Sequence, residues 1–88
     1  MAISADNIRQ LHKYEIRILH VLERLMRTHD WVPLDLIRRT IGLSESEVLF
    51  RLGRLMDAGM VRYDTVPYEG YSLVFLGYDA LALLSLTR

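Results

Sequence analysis

The feature that most constrains this fold is a pair of helical patterns that lie almost end to end. The first covers residues 33–41, begins at a proline that suits a first helical turn, and stops before Gly42. The second covers residues 45–58, and Ser44 and Glu47 have the spacing of a reciprocal capping box at its start. A turn of about three residues therefore joins two helices.

Beyond Gly59 the spacing of the apolar residues changes from helical to extended. Residues 60–64 and 71–76 are short runs rich in Val, Tyr and Phe, which are typical of strands. The connection between these runs contains Pro67 and Gly70 in turn-forming positions. The two runs therefore predict a hairpin.

Three further helices are predicted, over residues 4–11, 13–28 and 78–87, of which the second is the longest. In a winged helix-turn-helix domain, a short turn joins the last two of three helices, and a two-stranded hairpin follows them. We therefore expect a mainly helical α+β fold, a winged helix-turn-helix with a two-stranded hairpin and an extra C-terminal helix.

Composition limits the domain count and the compartment. The chain has 88 residues, of which 51% are hydrophobic, so we expect residues 1–88 to form a single domain with one modest core. It contains no cysteine, so packing has to stabilise it without disulfides or zinc-binding cysteines. The longest apolar run, residues 80–84, is far too short to span a bilayer. We expect a soluble cytoplasmic protein without membrane contact.

The residues that could carry catalysis form no recognisable constellation. His12, His20 and His29 have separations that match no compact pair of helical metal ligands. Ser44 and Ser46 stand at a helix start without a neighbouring histidine that could activate a hydroxyl. We expect no catalytic residue, no metal and no cofactor, so this chain should not be an enzyme.

The helix over residues 45–58 offers one candidate surface for nucleic acid. Phe50 and Arg54 are predicted to point outward, with Arg51 on the flank. The two arginines can bond a guanine edge or phosphate oxygens, and Phe50 can stack on an unpaired base. Glu45 and Glu47 would repel a phosphate at the helix start, and the net charge of zero gives no overall attraction. A solvated surface is therefore the alternative interpretation.

The long helix over residues 13–28 offers a second surface. Arg17, His20, Arg24 and Arg27 line its polar face. Such a face is ordinary on a soluble amphipathic helix. It also suits contact with the phosphates of structured RNA, which is recognised largely by shape and backbone.

The last predicted helix, over residues 78–87, is apolar nearly all round. Leu81 and Leu84 can pack on the domain, which leaves Leu83 and Leu86 pointing elsewhere. Exposed apolar area of this kind predicts an interface with another domain or a second copy, and a fully enclosed small helix is the alternative.

One stretch of the chain resembles the N-terminal domain of the type-two branch of the RIO atypical protein kinases. The residues that carry the resemblance are Tyr68, Gly70, Tyr71, Leu73, Gly77-Tyr78-Asp79 and Leu81-Ala82-Leu83, together with the Val32-Pro33 step. The order of helices agrees over essentially the whole chain, although the distinctive residues lie in its last quarter.

The resemblance implies a noncatalytic winged helix that precedes a serine/threonine kinase domain in a longer protein. Its implied partners are RNA or the precursor of the small ribosomal subunit, and the kinase domain in cis, with the isolated domain a monomer. Leu83 and Leu86 would face the kinase domain. Within the Gly-Tyr-Asp motif, Gly77 would form the strand-to-helix bend and Asp79 the helix start. The phosphate loop, catalytic Asp and metal ligands of such a kinase have no counterpart in this sequence.

Two other functions fit the same pattern of residues. One is a free-standing transcription regulator that dimerises through its last helix and presents the helix over residues 45–58 to DNA. The other is a protein-interaction module that uses Phe50, Leu83 and Leu86 and contacts no nucleic acid.

Overall fold

The computed structural model of this chain describes residues 10–86. Within that range the elements are α1 (Lys13–Leu25), α2 (Leu34–Ile41), α3 (Glu45–Asp57), β1 (Val61–Asp64), β2 (Gly70–Leu73) and α4 (Phe75–Leu86). The predicted winged helix is confirmed, with α2 and α3 as the helix pair and the antiparallel β1 and β2 as the wing. The helix predicted over residues 4–11 lies outside the described residues, except for its last two positions.

Helix α1 begins with a local hydrogen-bonded cap. His12 Nδ1 accepts a hydrogen bond from the Tyr14 N–H at 3.0 Å, and Glu15 Oε1 accepts one from the His12 N–H at 3.1 Å. The helix ends at Leu25, before the predicted end at Thr28. The Leu25 carbonyl accepts the Thr28 N–H at 3.1 Å and the Thr28 hydroxyl at 3.3 Å, which closes a tight turn in place of a further helical turn.

Helices α2 and α3 are joined by the predicted short turn. Helix α2 ends at Ile41, and Ser44 Oγ accepts the Glu47 N–H at 3.3 Å to cap α3. The reciprocal half of the predicted capping box does not form, because the Glu47 carboxylate accepts a hydrogen bond from Arg51 Nε at 2.9 Å instead. One half of the box is enough to start the helix.

The hairpin is anchored to the segment before α2. Val61 of β1 lies opposite Leu73 of β2, and Val32 pairs with Tyr71 through two backbone hydrogen bonds of 2.8 Å. Gly70 lies against this bridge, where a Cβ would come within 2.9 Å of the Val32 backbone nitrogen. A side chain at position 70 would therefore push Val32 away from the wing.

The second strand is shorter and the last helix starts earlier than predicted. Strand β2 ends at Leu73 and α4 begins at Phe75, so residues 74–76 are not a strand. The Val74 N–H donates to the Met60 carbonyl at 3.1 Å, in register with the sheet, but the Val74 carbonyl accepts the Gly77 N–H at 2.9 Å and the Tyr78 N–H at 3.2 Å, which form the first turn of α4. The start of this helix ends the strand, in spite of the strand propensity of the Val, Phe and Leu side chains.

Gly77 lies in the first turn of α4, against the backbone of another element. Its N–H donates to the Val74 carbonyl at 2.9 Å, and a Cβ on it would overlap the Met60 carbonyl oxygen. The predicted roles of Gly77 as the bend and of Asp79 as the helix start are therefore wrong. Gly77 is needed for the close approach of α4 to Met60, the residue before β1, and Asp79 lies beyond the start of the helix.

The core is built around α1, which packs against α2, α3, α4 and β2. Ile18, Leu19 and Leu22 on α1 have no exposed surface and contact the buried side chains of the other elements. Each such buried side chain contributes roughly 1.5–3 kcal/mol through the hydrophobic effect. No helix in the described range 10–86 has both the length and the apolar character needed to cross a membrane.

Candidate nucleic-acid interface

Helix α3 presents two of its three predicted contact residues to solvent. Phe50 is 56% exposed, and the Arg54 side chain is 55% exposed. The Arg51 side chain is only 15% exposed and is directed to a carboxylate on α1. The outward positions predicted for Phe50 and Arg54 are thus confirmed, while Arg51 lies between two helices.

Glu15 is the buried carboxylate that joins α1 to α3. Its Oε2 accepts hydrogen bonds from Arg51 Nη1 at 3.0 Å and from Arg54 Nε at 3.1 Å. Its Oε1 accepts the His12 N–H, and the residue as a whole is 1% exposed. A buried carboxylate is tolerated only when such partners replace its hydration. Glu15 therefore positions both arginines of α3.

Arg51 is held from two sides. Its Nε donates to Glu47 at 2.9 Å while its Nη1 donates to Glu15, and these hydrogen bonds raise the pKa of Arg51 above its usual range. The guanidinium carbon also lies 5.0 Å from the centre of the Phe50 ring. Arg51 therefore stabilises the packing of α3 on α1, and its contact with nucleic acid stays a prediction.

The sequence contained a signal for Glu15 that our interpretation missed. Glu15 stands three residues before Ile18 and seven before Leu22, so it shares the apolar face of α1. An acidic residue on an apolar stripe needs a cationic partner in the tertiary structure. Its partners, Arg51 and Arg54, are 36 and 39 residues away in the chain, beyond the reach of any local pattern.

The basic face of α1 divides into two parts. Arg17 Nη2 donates to the Ile41 carbonyl at 3.1 Å and so satisfies a backbone group at the end of α2. Arg24 and Arg27 are exposed and form no ion pair with any residue in the range 10–86. Together with His20, Val21 and Glu23 they line a shallow depression of about 290 Å³. Of the three arginines of this face, Arg24 near the end of α1 and Arg27 in the turn after it are therefore the two without a hydrogen-bonded partner among the described residues.

The wing carries aromatic rings and no cationic side chain at its tip. Val66 is 78% exposed and Tyr68 is 71% exposed. The Tyr63 and Tyr71 rings lie 4.9 Å apart. The Glu69 carboxylate beside the Tyr63 hydroxyl raises the pKa of Tyr63, and burial raises the pKa of Tyr71. The tip of the wing is thus unsuited to phosphate contact.

The two leucines predicted to form an interface differ in exposure. Leu86 is 79% exposed at the end of α4, whereas Leu83 is half-buried and packs against the core. Leu81 is buried and Leu84 half-buried, as their predicted inward positions require. Leu86 therefore presents the larger free apolar surface, and the interface itself stays a prediction.

Metal chemistry has no visible site in the described structure. Within residues 10–86, no group of three or more His, Cys, Asp or Glu side chains is arranged to hold a metal ion. The described surface does offer cationic side chains at the end of α1, the exposed Phe50 on α3, and exposed apolar side chains at both ends of α4, Phe75 and Leu86.

Comparison with known proteins gives consistent matches across the chain. A family model described as "Rio2, N-terminal" matches residues 8–88. The RIO-type serine/threonine-protein kinase Rio2 of Methanocaldococcus jannaschii is 48% identical over 58 residues, which are 66% of this chain and 20% of the relative. The serine/threonine-protein kinase rio2 of Dictyostelium discoideum is 33% identical over 86 residues, which are 98% of this chain and 16% of the relative.

A solved structure shows the same architecture. In the crystal structure of the Rio2 kinase–ADP/Mg²⁺–phosphoaspartate complex from Chaetomium thermophilum, the matching region superposes with a TM-score of 0.83 and 27% identity. The match covers 97% of this chain and 26% of that one. The chain thus spans about a fifth of the length of the curated relatives, at 20% and 16% of the two described above.

Proposed function

Because this chain belongs to the Rio2 N-terminal domain family, we propose that it is a noncatalytic winged-helix module of a RIO-type serine/threonine kinase. In this proposal it docks to RNA or to the precursor of the small ribosomal subunit and supports the adjacent kinase domain. The kinase activity is that of the relatives, which are several times longer than this chain. The part played by this chain is binding.

The observation that carries the proposal is the distribution of unpaired cationic groups. Arg51 is paired with Glu15 and Glu47, and Arg17, although it has no ion pair among the described residues, donates to the Ile41 carbonyl. Arg24 and Arg27 are exposed without an ion pair among the described residues. A phosphate contact at these two side chains therefore breaks no existing interaction. RNA is the nucleic acid that this surface favours, because RNA duplexes are recognised through backbone and shape.

Helix α3 then has a secondary role. Arg54 is exposed but held by Glu15, and Phe50 is free to stack on an unpaired base. Reading duplex DNA with α3 would place Glu45 and Glu47 near phosphates, which opposes binding. Duplex DNA is nevertheless a useful competitor, since a DNA-binding regulator is the alternative function.

Reversing the charge of the α1 patch should weaken RNA binding. We expect the double variant Arg24→Glu/Arg27→Glu to bind a hairpin RNA with a stem of about 16 base pairs at least about tenfold more weakly. The slope of log affinity against log salt should fall by about 1 for each lost phosphate contact. Fluorescence anisotropy over a series of salt concentrations measures both quantities.

Arg38→Glu/Arg39→Glu is the matched control, because it makes the same charge change on α2, where both arginines pair with Asp35. An equal loss of RNA affinity in this control would show that only the net charge of the protein matters, and it would contradict the assignment of the RNA contact to α1. Phe50→Ala separates stacking from phosphate contact, since it should weaken only RNA with unpaired loop bases, by about 1–3 kcal/mol. Tighter binding of duplex DNA than of RNA would favour the transcription regulator.

The apolar end of α4 is the surface we assign to the adjacent kinase domain. In the 88-residue chain, Leu86→Ser should leave stability nearly unchanged, because Leu86 is already 79% exposed. In a longer protein that continues into the kinase domain, the same change should lower the free energy of unfolding by about 1.5 kcal/mol or more, since it exposes a covered leucine. Denaturant unfolding of both proteins makes the comparison.

Leu83→Ser is the control for this experiment. Leu83 is half-buried against the core of its own chain, so its replacement should destabilise the short and the long protein alike. If Leu86→Ser has the same small effect in both proteins, the kinase domain does not cover this end of α4.

A further inference from the structure

Two depressions meet beside the wing, and they share Pro33 and Glu69 in their walls. The larger has a volume of about 440 Å³ and lies between the start of α2 and the wing. We call it the wing groove and define it by Asp30, Trp31, Pro33, Tyr68 and Glu69.

The charge of the wing groove is negative. Asp30 and Glu69 are both exposed, and neither forms an ion pair within the described part of the chain. No Lys or Arg lines the groove. His29, which also lines it, has its Nδ1 within 3.3 Å of the Leu25 carbonyl and 2.9 Å of the Thr28 hydroxyl. Two uncompensated carboxylates repel phosphate and attract a cation.

The aromatic walls favour one kind of cation. Tyr68 is 71% exposed, and the indole of Trp31 already has the guanidinium of Arg62 4.9 Å from its centre. That intrachain contact places a guanidinium on one of the rings that form the groove. A guanidinium is planar, stacks on aromatic faces, and bonds carboxylates in a bidentate manner. An ammonium group is more strongly hydrated and stacks less well.

Arg62 itself is not available to neutralise the groove. Its Nε donates to Asp64 at 2.7 Å, so its charge is already paired within β1. Glu69 therefore has no cationic partner in the described residues, although its carboxylate is close enough to the Tyr63 hydroxyl to raise the pKa of that group. The groove thus combines an exposed tyrosine and a half-buried tryptophan with carboxylates that lack a cationic partner in the described residues.

We propose that the wing groove binds an arginine side chain presented by a segment of a partner protein. The wing then contacts protein, while the basic patch on α1 contacts nucleic acid. This inference does not depend on the proposed RNA docking, because the two surfaces share no residue and attract ligands of opposite charge.

The test uses Trp31, the only tryptophan of the chain, as a reporter inside the groove. The probe is the peptide acetyl-Gly-Arg-Gly-amide, titrated into the full 88-residue chain while the tryptophan emission is followed. The matched peptide carries citrulline, which has the shape of arginine without its charge. We expect a saturable change with the arginine peptide and about tenfold weaker binding of the citrulline peptide.

Two variants assign the effect to the groove. Glu69→Gln should weaken binding of the arginine peptide by about fivefold or more, because it removes a carboxylate partner. Glu45→Gln makes the same charge change at the exposed start of α3 and should leave binding unchanged. Circular dichroism checks that both variants are folded, which is expected since both positions are exposed.

Each remaining outcome overturns the proposal. Equal responses to the arginine and citrulline peptides, equal losses in both variants, or no response at all would show that the groove does not select a guanidinium. A change in tryptophan emission with protein concentration alone would assign the groove to a second copy of the chain. The RNA proposal is tested separately, because Arg24→Glu/Arg27→Glu should retain full binding of the arginine peptide.

Discussion

Replacing Gly77 with alanine is expected to lower the free energy of unfolding by about 3 kcal/mol, at the upper end of overpacking effects. The added Cβ would overlap the Met60 carbonyl oxygen and approach Leu73 Cδ2 at 2.9 Å. The Leu73 side chain can move, but the Met60 carbonyl accepts the Val74 N–H and is fixed at the end of the hairpin. Relief of the overlap therefore requires α4 to shift away from the wing. Urea unfolding followed by far-ultraviolet circular dichroism measures the loss.

Gly53→Ala is the matched control for this prediction. Gly53 lies within α3, and a Cβ there would meet nothing within 4 Å. The same substitution should therefore stabilise the chain there by about 0.5–1 kcal/mol, because alanine is the better helix former. A neutral or stabilising effect of Gly77→Ala would show that α4 does not approach Met60 as closely as described.

Replacing Glu15 with alanine is expected to cost about 3 kcal/mol of stability, because it breaks a buried ion pair and leaves Arg51 with one carboxylate partner in place of two. The change removes the only buried carboxylate in the described structure, together with the acceptor of the His12 N–H. Arg51, between the helices, would keep only Glu47 as a partner. Thermal unfolding and urea titration at neutral pH both report the effect.

Two further variants determine whether charge or packing is responsible. Glu47→Ala removes the other carboxylate partner of Arg51, but its side chain is 34% exposed, so we expect a loss below about 1 kcal/mol. Glu15→Met/Arg51→Met replaces both members of the pair with apolar side chains of similar length. It should recover much of the stability lost in Glu15→Met, because well-packed apolar residues often replace a buried ion pair without loss. Additive losses in the double variant would contradict a coupled pair.

The same ion-pair network limits the use of α3 as a recognition helix. Arg51 would have to break ion pairs with two carboxylates before it could contact a ligand, and Arg54 would have to break one. A phosphate would have to compete with a buried Glu15 for both arginines. Arg24 and Arg27 carry no such penalty, which is why we assign the main phosphate contact to α1 and only a stacking role to Phe50.

The elements of this fold were predictable because their signals are local. Ser44 caps α3 through a hydrogen bond that spans three residues, and the turn after Ile41 is equally short. The change from helical to extended spacing beyond Gly59 predicted the hairpin, whose observed strands are Val61–Asp64 and Gly70–Leu73. The exposure of Phe50 and Arg54 on α3 followed from helical periodicity alone.

The order of helices and hairpin, and with it the winged-helix class and the family, was therefore determined by the sequence itself. The tertiary structure decided which residues that are distant in the sequence contact one another. Gly77 of α4 lies against the Met60 carbonyl, and Glu15 pairs with arginines more than thirty residues away. Helix caps and hydrophobic periodicity involve residues that are close in the sequence. Ion pairs and close backbone contacts instead depend on which distant residues are brought together in the folded structure. The distances between such residues are fixed only when the other helices and the wing pack around α1.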